Sequence, residues 1–186
     1  MTRLIAVAGA APGAGKSTLS GSLRDWLIAR RLKVDHVQEE EVLTRREFAP
    51  LAREFTNTGE VQLQTLLDTT VVYLDTVEAA GMDLAITDAL IPFVPSLMGW
   101  GYSEAAIVNF LEELASRIDW TKPTVVYLDD DPALAVARAV EREGSPWLDW
   151  LVTKLGQYPV SPAVCDLKTC PFRGLVELGR CRLVDL

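Results

Sequence analysis

The sequence predicts an α/β protein whose parallel β-sheet is covered by helices on both faces. Short segments that are mostly apolar alternate along the chain with longer segments of helical periodicity, which is typical of a buried parallel sheet. The 186 residues suffice for one well-buried domain, and no internal repeat or linker divides them. We therefore expect a single domain over residues 1–186.

Five short segments predict the strands of this sheet, namely residues 4–8, 33–38, 83–87, 124–128 and 182–184. The first segment runs into a glycine-rich loop, and the helix predicted after that loop has an apolar stripe. The stripe consists of Leu19, Leu23, Trp26 and Leu27.

The remaining helices are predicted from periodicity and from their end signals. Residues 44–80 are helical with a break near 57–59, and a helix opens at Ser103 and Glu104. Asp131 and Pro132 suit the cap and first position of another helix, and a last helix covers about 146–155. Prolines and glycines between residues 92 and 101 predict an irregular loop.

Composition excludes several classes of function. The net charge of −8 argues against a polymeric nucleic acid as partner, because such binding depends on Lys and Arg neutralising phosphates. No apolar run is long enough to cross a membrane, and the N-terminus lacks the pattern of a secretory signal. We expect a cytoplasmic protein. Cys165, Cys170 and Cys181 are then interpreted as reduced thiols, since a metal site would need a fourth ligand.

Residues 10–17, AAPGAGKS, match a phosphate-binding loop with alanine in place of its first glycine. Gly13 and Gly15 allow the backbone to turn N–H groups towards phosphates, Lys16 can reach the outer phosphates, and the Ser17 hydroxyl can bind Mg²⁺. The residues expected to bind the nucleotide are Ala11, Pro12, Gly13, Ala14, Gly15, Lys16, Ser17 and Thr18. A glycine-rich turn with a chance Lys-Ser pair is the alternative.

The loop predicts a bound nucleoside triphosphate and leaves the reaction open. A GTP-hydrolysing switch would need an Asn/Thr-Lys-x-Asp element, and residues 121–124, TKPT, lack the aspartate. A small-molecule kinase remains. It requires a carboxylate near the metal, a base for the acceptor hydroxyl, and arginines over the transferred phosphoryl group.

Acidic residues follow two predicted strands at the edge of the sheet where ligands bind. Asp88 ends the third strand, and we expect it to orient Mg²⁺ with Ser17, either directly or through water. A capping or turn aspartate is the alternative. Glu39, Glu40 and Glu41 follow the second strand, and one of them can accept the proton of an attacking hydroxyl. We favour Glu39; a solvated acidic helix start is the alternative.

Arginines supply the remaining requirement. Arg138 and Arg142 are four residues apart and share one face of a predicted helix, so we expect a lid near residues 138–150 that folds them over the triphosphate. Two surface arginines paired with carboxylates are the alternative. Arg45, Arg46 and Arg53 can bind a phosphate already present on the acceptor, or form an exposed helix face, which we favour.

Taken in order, these motifs resemble the deoxynucleoside kinase family and its thymidylate kinase relatives over residues 4–155. The matching stretches are VQEEEV at 37–42, EVQLQTLL at 60–67, LDDDPALAVARAVEREG at 128–144 and SPWLDWLVTKL at 145–155. The resemblance implies a P-loop NTPase fold, three-layered α/β/α with a five-stranded parallel sheet of order 2-3-1-4-5. It also implies a glutamate of the VQEEEV stretch as the base, Gln62 or Gln64 as the residue that reads a nucleobase, and a homodimer.

One departure concerns the acceptor. The family's third strand usually ends in an acidic residue followed by arginine, whereas Ala89 follows Asp88 here. Phe93, Trp100 and Tyr102 can line a different pocket, and together with Gln64 they are the predicted substrate-binding residues.

The sequence therefore predicts an ATP- and Mg²⁺-dependent kinase acting on a hydroxyl of a nucleoside, nucleotide or nucleoside-like molecule. Its catalytic residues are Lys16, Glu39, Asp88, Arg138 and Arg142. A kinase of another small alcohol, such as a sugar or specialised metabolite, and a non-catalytic ATP-binding module are the alternatives.

Overall fold

The computed structural model describes residues 1–9, 11–89 and 94–155. The strand predicted at 182–184 and the three cysteines lie outside the described residues. The chain divides into two compact units, which are described separately. The first unit comprises Met1–Ala8, Ser17–Phe93 and Ala105–Val126, and the second unit comprises Gly9–Lys16, Val94–Glu104 and Tyr127–Leu186.

The predicted α/β class is confirmed by a parallel sheet of four strands with helices on both sides. The strands are β1 (Arg3–Gly9), β2 (Val34–Val37), β3 (Leu84–Thr87) and β4 (Thr124–Leu128). They are arranged in the order β2-β3-β1-β4, which is the predicted order for these four strands.

The register of the sheet brings the ends of β2 and β3 side by side. Thr87 of β3 is aligned with Val37 of β2 and with Ala6 of β1. Most apolar side chains of these three strands are buried, because the sheet is covered on both faces, and the others, Ile5, Val34 and Leu84, are half-buried. On β4, in contrast, the side chains of Val125 and Tyr127 are exposed, which the prediction of a fully covered sheet did not anticipate.

The helices confirm most of the predicted segments. They are α1 (Lys16–Ile28), α2 (Ala49–Thr58), α3 (Leu63–Ala79), α4 (Val94–Gly99), α5 (Glu104–Ile118), α6 (Pro132–Glu143) and α7 (Ser145–Leu155). Short 3₁₀ turns occur at Glu39–Glu41, Arg46–Phe48 and Asp119–Thr121. The predicted break between α2 and α3 is produced by Gly59, which ends α2 with a φ of 76°.

The predicted apolar stripe of α1 is only partly correct. Ser20 and Leu27 are the buried residues of this helix, whereas Leu19 and Trp26 are exposed. Residues 20 and 27 are seven apart and therefore share one face of a helix, and that face is the one turned inward. Trp26 instead stacks against the guanidinium of Arg30, 3.5 Å from its ring centroid.

The irregular loop predicted at residues 92–101 contains a helix, α4. Pro95 lies in the first turn of this helix, where a backbone N–H is not needed, so proline does not prevent it. The helix ends at Gly99. Gly101, just after it, has a φ of 89°, and the Tyr102 N–H donates to the Leu97 carbonyl at 3.1 Å.

The start of α6 is as predicted. Pro132 is its first residue, and the Asp131 side chain accepts hydrogen bonds from the Ala133 and Leu134 amides at 2.7 and 3.4 Å. The segment predicted as a lid, residues 138–150, consists of the end of α6, Gly144 and the start of α7. Gly144 has a φ of 83°, which allows the abrupt change from one helix to the next.

Within residues 1–9, 11–89 and 94–155, none of the helices combines the length and apolar character that crossing a lipid bilayer requires.

Candidate functional site

In the second unit, a glycine loop (residues 11–16) connects β1 to α1. Gly13 and Gly15 have φ values of 80° and 91°, a region that side chains disfavour. The loop turns through a hydrogen bond from the Ala14 N–H to the Ala11 carbonyl at 3.4 Å. The N–H groups of Gly15 and Lys16 donate to no other described residue. They are therefore free to donate to an anion at the start of α1.

The glycine loop packs directly on α6. A Cβ atom on Gly13 would lie 2.0 Å from the Ala135 carbonyl oxygen and 3.1 Å from the Ala139 Cβ. Ala135 and Ala139 are completely buried. Glycine is thus required at position 13 by packing as well as by φ. The sequence analysis did not predict this contact. The two alanines, four residues apart on one helix, were a sign that another segment could approach that helix closely.

Arg138 extends from α6 to the glycine loop. Its Nε donates to the Gly13 carbonyl oxygen at 3.3 Å, and its Nη2 donates to the Asp130 carboxylate. The Arg138 side chain is half exposed, so the rest of its guanidinium is accessible to solvent. The structure thus brings one of the two predicted lid arginines to the loop.

Arg142 differs from Arg138. Its Nε donates to the neighbouring Glu143 carboxylate at 2.6 Å, and its side chain is 64% exposed. Arg142 lies four residues after Arg138 on α6, which displaces it by about 6 Å along the helix axis. Among the described residues, Arg142 has no contact with the glycine loop, in line with the alternative of a surface ion pair.

Lys16, Ser17 and Thr18, which were also predicted to bind the nucleotide, are the first three residues of α1. Lys16 is half-buried in the second unit, and Ser17 and Thr18 are exposed in the first unit. The Ser20 hydroxyl, which carries a single proton, lies 3.2 Å from the Ser17 carbonyl oxygen, an alternative acceptor to the Asp88 carboxylate. The Ser17 and Thr18 hydroxyls are therefore accessible at the beginning of the helix.

In the first unit, Asp88 connects two elements through its carboxylate. Its Oδ1 accepts from the Glu39 N–H at 3.1 Å, and its Oδ2 accepts from the Ser20 hydroxyl at 3.2 Å. Asp88 is 5% exposed. Its side-chain partners therefore lie on α1 and directly after β2, far from Asp88 along the chain. A carboxylate can accept about four hydrogen bonds, so capacity remains for one or more water molecules.

His36 completes this network behind Ser20. The His36 Nε2 lies 3.0 Å from the Ser20 Oγ, and both side chains are buried. If the Ser20 proton goes to Asp88, the Ser20 oxygen accepts from a neutral His36 that carries its proton on Nε2. Burial lowers the pKa of His36, and the positive charge of Arg24 lowers it further. The contacts to Ser20 and His36 were not predicted, because neither residue belonged to a recognised motif.

The three candidate glutamates occupy different environments. The Glu41 carboxylate accepts from the Gln38 N–H at 2.9 Å and pairs with Arg45, so Glu41 is held in the structure of the turn. Glu39 and Glu40 are both exposed. The Glu39 carboxylate makes no hydrogen bond or ion pair to another described residue. Glu39 is also the glutamate whose backbone is bound by Asp88, and this favours it over Glu40.

The structure describes three of the four predicted substrate-binding residues. Gln64, in the first unit, is exposed and donates to the Asp68 carboxylate at 3.0 Å. In the second unit, Trp100 is buried and Tyr102 is half-buried. Phe93 lies outside the described residues. Trp100 therefore contributes to packing, and the acceptor pocket stays a prediction.

No group of three or more His, Cys, Asp or Glu side chains in the described part of the chain is arranged to hold a metal ion by itself.

No family model and no curated protein matches the sequence. Among solved structures, this chain is similar to one described as "Crystal structure of APE1195". The likeness covers 98% of the present chain and 96% of the chain in that structure. The sequence identity is 15% and the TM-score is 0.48. At this level the likeness does not bear on activity.

Proposed function

We propose that this protein is an ATP- and Mg²⁺-dependent kinase that phosphorylates a hydroxyl group of a nucleoside, nucleotide or nucleoside-like small molecule. The observation that carries the proposal is the glycine loop with Arg138 beside it. Two glycines at positive φ, amides at residues 15 and 16 that donate to no described residue, and an arginine bound to the loop's own carbonyl form one group within the second unit.

The glycine loop has the chemistry of a phosphate site. Free N–H groups and the positive end of α1 favour a polyanion, and Lys16 adds a full charge. Arg138 would contribute its solvent-accessible N–H groups to the charge that develops on the transferred phosphoryl group. Arg142 would join it only if α6 or its side chain moved.

Ser17, Asp88 and Glu39 would supply the metal and acceptor chemistry. The Ser17 hydroxyl would bind Mg²⁺, and Asp88 would orient the ion through a bound water, since both of its oxygens already accept protein hydrogen bonds. Glu39 would accept the proton of the attacking hydroxyl. Mg²⁺, when bound, neutralises charge on the phosphates.

The finer fold assignment belongs to the same proposal. We assign the chain to the P-loop NTPase fold, with residues 182–184 as a fifth strand next to β4 and the order 2-3-1-4-5. The four described strands have the order that this assignment requires.

Two other functions share parts of this site. A kinase of another small alcohol, such as a sugar or specialised metabolite, uses the same donor side, and Ala89 in place of an arginine after Asp88 favours it. A non-catalytic ATP-binding module would also bind nucleotide through the loop. In such a module, replacing Glu39 or Asp88 would leave the biological output unchanged.

The proposal is tested by incubating the protein with Mg²⁺-ATP and a broad pool of nucleosides, nucleotides, sugars and other hydroxylated metabolites. Mass spectrometry then detects any compound that gains one phosphate. Lys16→Ala should abolish the product, whereas Lys33→Ala, which changes an exposed lysine, should not. ATP binding without transfer to any pool member would contradict the kinase assignment and favour the binding module.

A further inference from the structure

Arg45 contacts residues on both sides of Glu39. Its Nη1 donates to the Asp35 carboxylate at 2.9 and 3.2 Å, and its Nη2 donates to the His36 carbonyl oxygen at 2.6 Å. Its Nε donates to the Glu41 carboxylate at 3.3 Å. All three N–H-bearing nitrogens of one guanidinium are therefore engaged, two with β2 and one with the 3₁₀ turn that follows it.

The partners of Arg45 are themselves fixed. Asp35 also accepts from the Tyr73 hydroxyl at 2.7 Å, and Tyr73 is buried on α3 with its ring centroid 5.2 Å from that of Phe48. Glu41 accepts from the Gln38 N–H through its second oxygen. We call these four residues, Asp35, Glu41, Arg45 and Tyr73, the Arg45 cluster. The cluster connects α3, β2 and the turn within the first unit.

Arg45 and Asp35 form an ion pair that is partly buried. The side chains of Arg45 and Asp35 are 24% and 23% exposed, so the pair is shielded from solvent more than an ordinary surface ion pair. Burial by itself would lower the pKa of Arg45, but the hydrogen bond and charge of Asp35, together with Glu41, raise it. The prediction that Arg45 lies on an exposed helix face is therefore wrong, and its nitrogens are occupied rather than open to an acceptor phosphate.

We propose that Arg45 is a positioning residue for Glu39: by bonding Asp35 and His36 before it and Glu41 after it, Arg45 fixes the backbone turn from which the Glu39 carboxylate projects. This inference rests on the proposed function for the role of Glu39. The Glu39 N–H is held separately by Asp88, so Arg45 and Asp88 fix the same turn from different directions. Glu39 then needs no side-chain partner of its own to stay in place.

The test compares Arg45→Lys with Arg46→Lys. Lysine keeps the charge at position 45 but loses the planar fork that reaches three partners at once. Arg46 is the matched control, because it is the next residue and is exposed. Amide hydrogen exchange is measured first, as it does not depend on any activity. We expect exchange in residues 38–42 to become about tenfold faster in Arg45→Lys and to be unchanged in Arg46→Lys.

Activity provides the second measurement, with the acceptor found in the metabolite pool. We expect kcat to fall about 100-fold in Arg45→Lys with little change in KM for ATP, because a small misplacement of the base lowers the rate without altering the phosphate loop. In a Glu39→Gln background the same Arg45→Lys change should lower kcat no further, since Arg45 acts through Glu39.

Three results would overturn the inference: unchanged exchange at 38–42, faster exchange with a normal kcat, or an equal additional loss of kcat in the Glu39→Gln background. A wild-type protein that phosphorylates nothing refutes the proposed function instead. In that case the exchange measurement still decides whether Arg45 holds the turn.

Discussion

The Nε atom of Arg138 lies 3.3 Å from the carbonyl oxygen of Gly13, although 125 residues separate the two along the chain. The contact places a cationic side chain at the loop that is best suited to bind phosphates. It also distinguishes Arg138 from Arg142, which pairs with its own neighbour Glu143.

Replacing Arg138 with methionine should therefore affect turnover more than stability. The side chain is half exposed, so we expect the free energy of unfolding to change by about 1 kcal/mol or less. Under the proposed function, phosphoryl transfer should fall by about 100-fold or more, because the variant lacks the donor proposed to stabilise the developing charge. Steady-state kinetics of Arg138→Met and Arg142→Met, measured side by side, test this. Equal losses in both variants would contradict the structural distinction between them.

Gly13→Ala should disrupt the glycine loop. A Cβ would collide with the Ala135 carbonyl at 2.0 Å and would also be strained at a φ of 80°. We expect a loss of about 2–4 kcal/mol in the free energy of unfolding, together with weaker ATP binding. Gly21→Ala is the control, since a Cβ there meets nothing within 4 Å. In the middle of α1 it should be neutral or stabilise by up to about 1 kcal/mol. Denaturant unfolding that gives the same result for both would refute the packing argument.

Ser20→Ala should leave the Asp88 Oδ2 without its protein donor. Because Ser20 and Asp88 are both buried, we expect the free energy of unfolding to fall by about 1–3 kcal/mol. The exposed Ser22 on the same helix provides the control variant, Ser22→Ala, which should change stability by less than about 0.5 kcal/mol. If Ser20→Ala is as stable as the wild type, the hydrogen bond to Asp88 does not contribute to folding.

The titration of His36 can be followed directly, because it is the single histidine in the sequence. Burial and Arg24 lower its pKa, so its imidazole signals should titrate with a midpoint below the ordinary value of 6.5. Between that midpoint and 6.5 the unfolded chain binds more protons than the folded chain. The free energy of unfolding should therefore decrease as the pH falls through this window.

The matched variant for this measurement is His36→Gln, which keeps a side-chain N–H donor. Its unfolding free energy should depend less on pH in the same window than that of the wild type. An NMR midpoint at or above 6.5 would contradict the burial of a neutral imidazole at this position.

The sequence was most informative where local chemistry determines structure. The strand segments, the break at Gly59 and the Asp131-Pro132 helix start were predictable because turn and cap residues act over a few neighbours. The positive φ values of Gly13 and Gly15 were implied by the loop motif for the same reason.

Features that depend on distant parts of the chain were not predictable. Trp26 was assigned to a buried stripe because it is hydrophobic. The face of α1 that turns inward instead carries Ser20, whose hydroxyl contacts the side chains of Asp88 and His36. Arg45 was assigned to the surface because its partner Asp35 lies on a strand and its support, Tyr73, on a separate helix. Tertiary pairing overrides a residue's usual preference in both cases.

The packing of Gly13 on Ala135 and Ala139 has a consequence for the synthesis of the protein. A ribosome synthesises the glycine loop near the beginning of translation and synthesises α6, which packs on the loop, much later. Gly13 and its partner Arg138 on α6 are 125 residues apart. At about 5–20 residues per second this delay lasts about 6–25 s. During that interval the nascent chain contains every residue of the phosphate-loop motif but lacks the helix against which the loop is built. Under the proposed function, nucleotide binding to translation intermediates should therefore begin only after α6 has emerged.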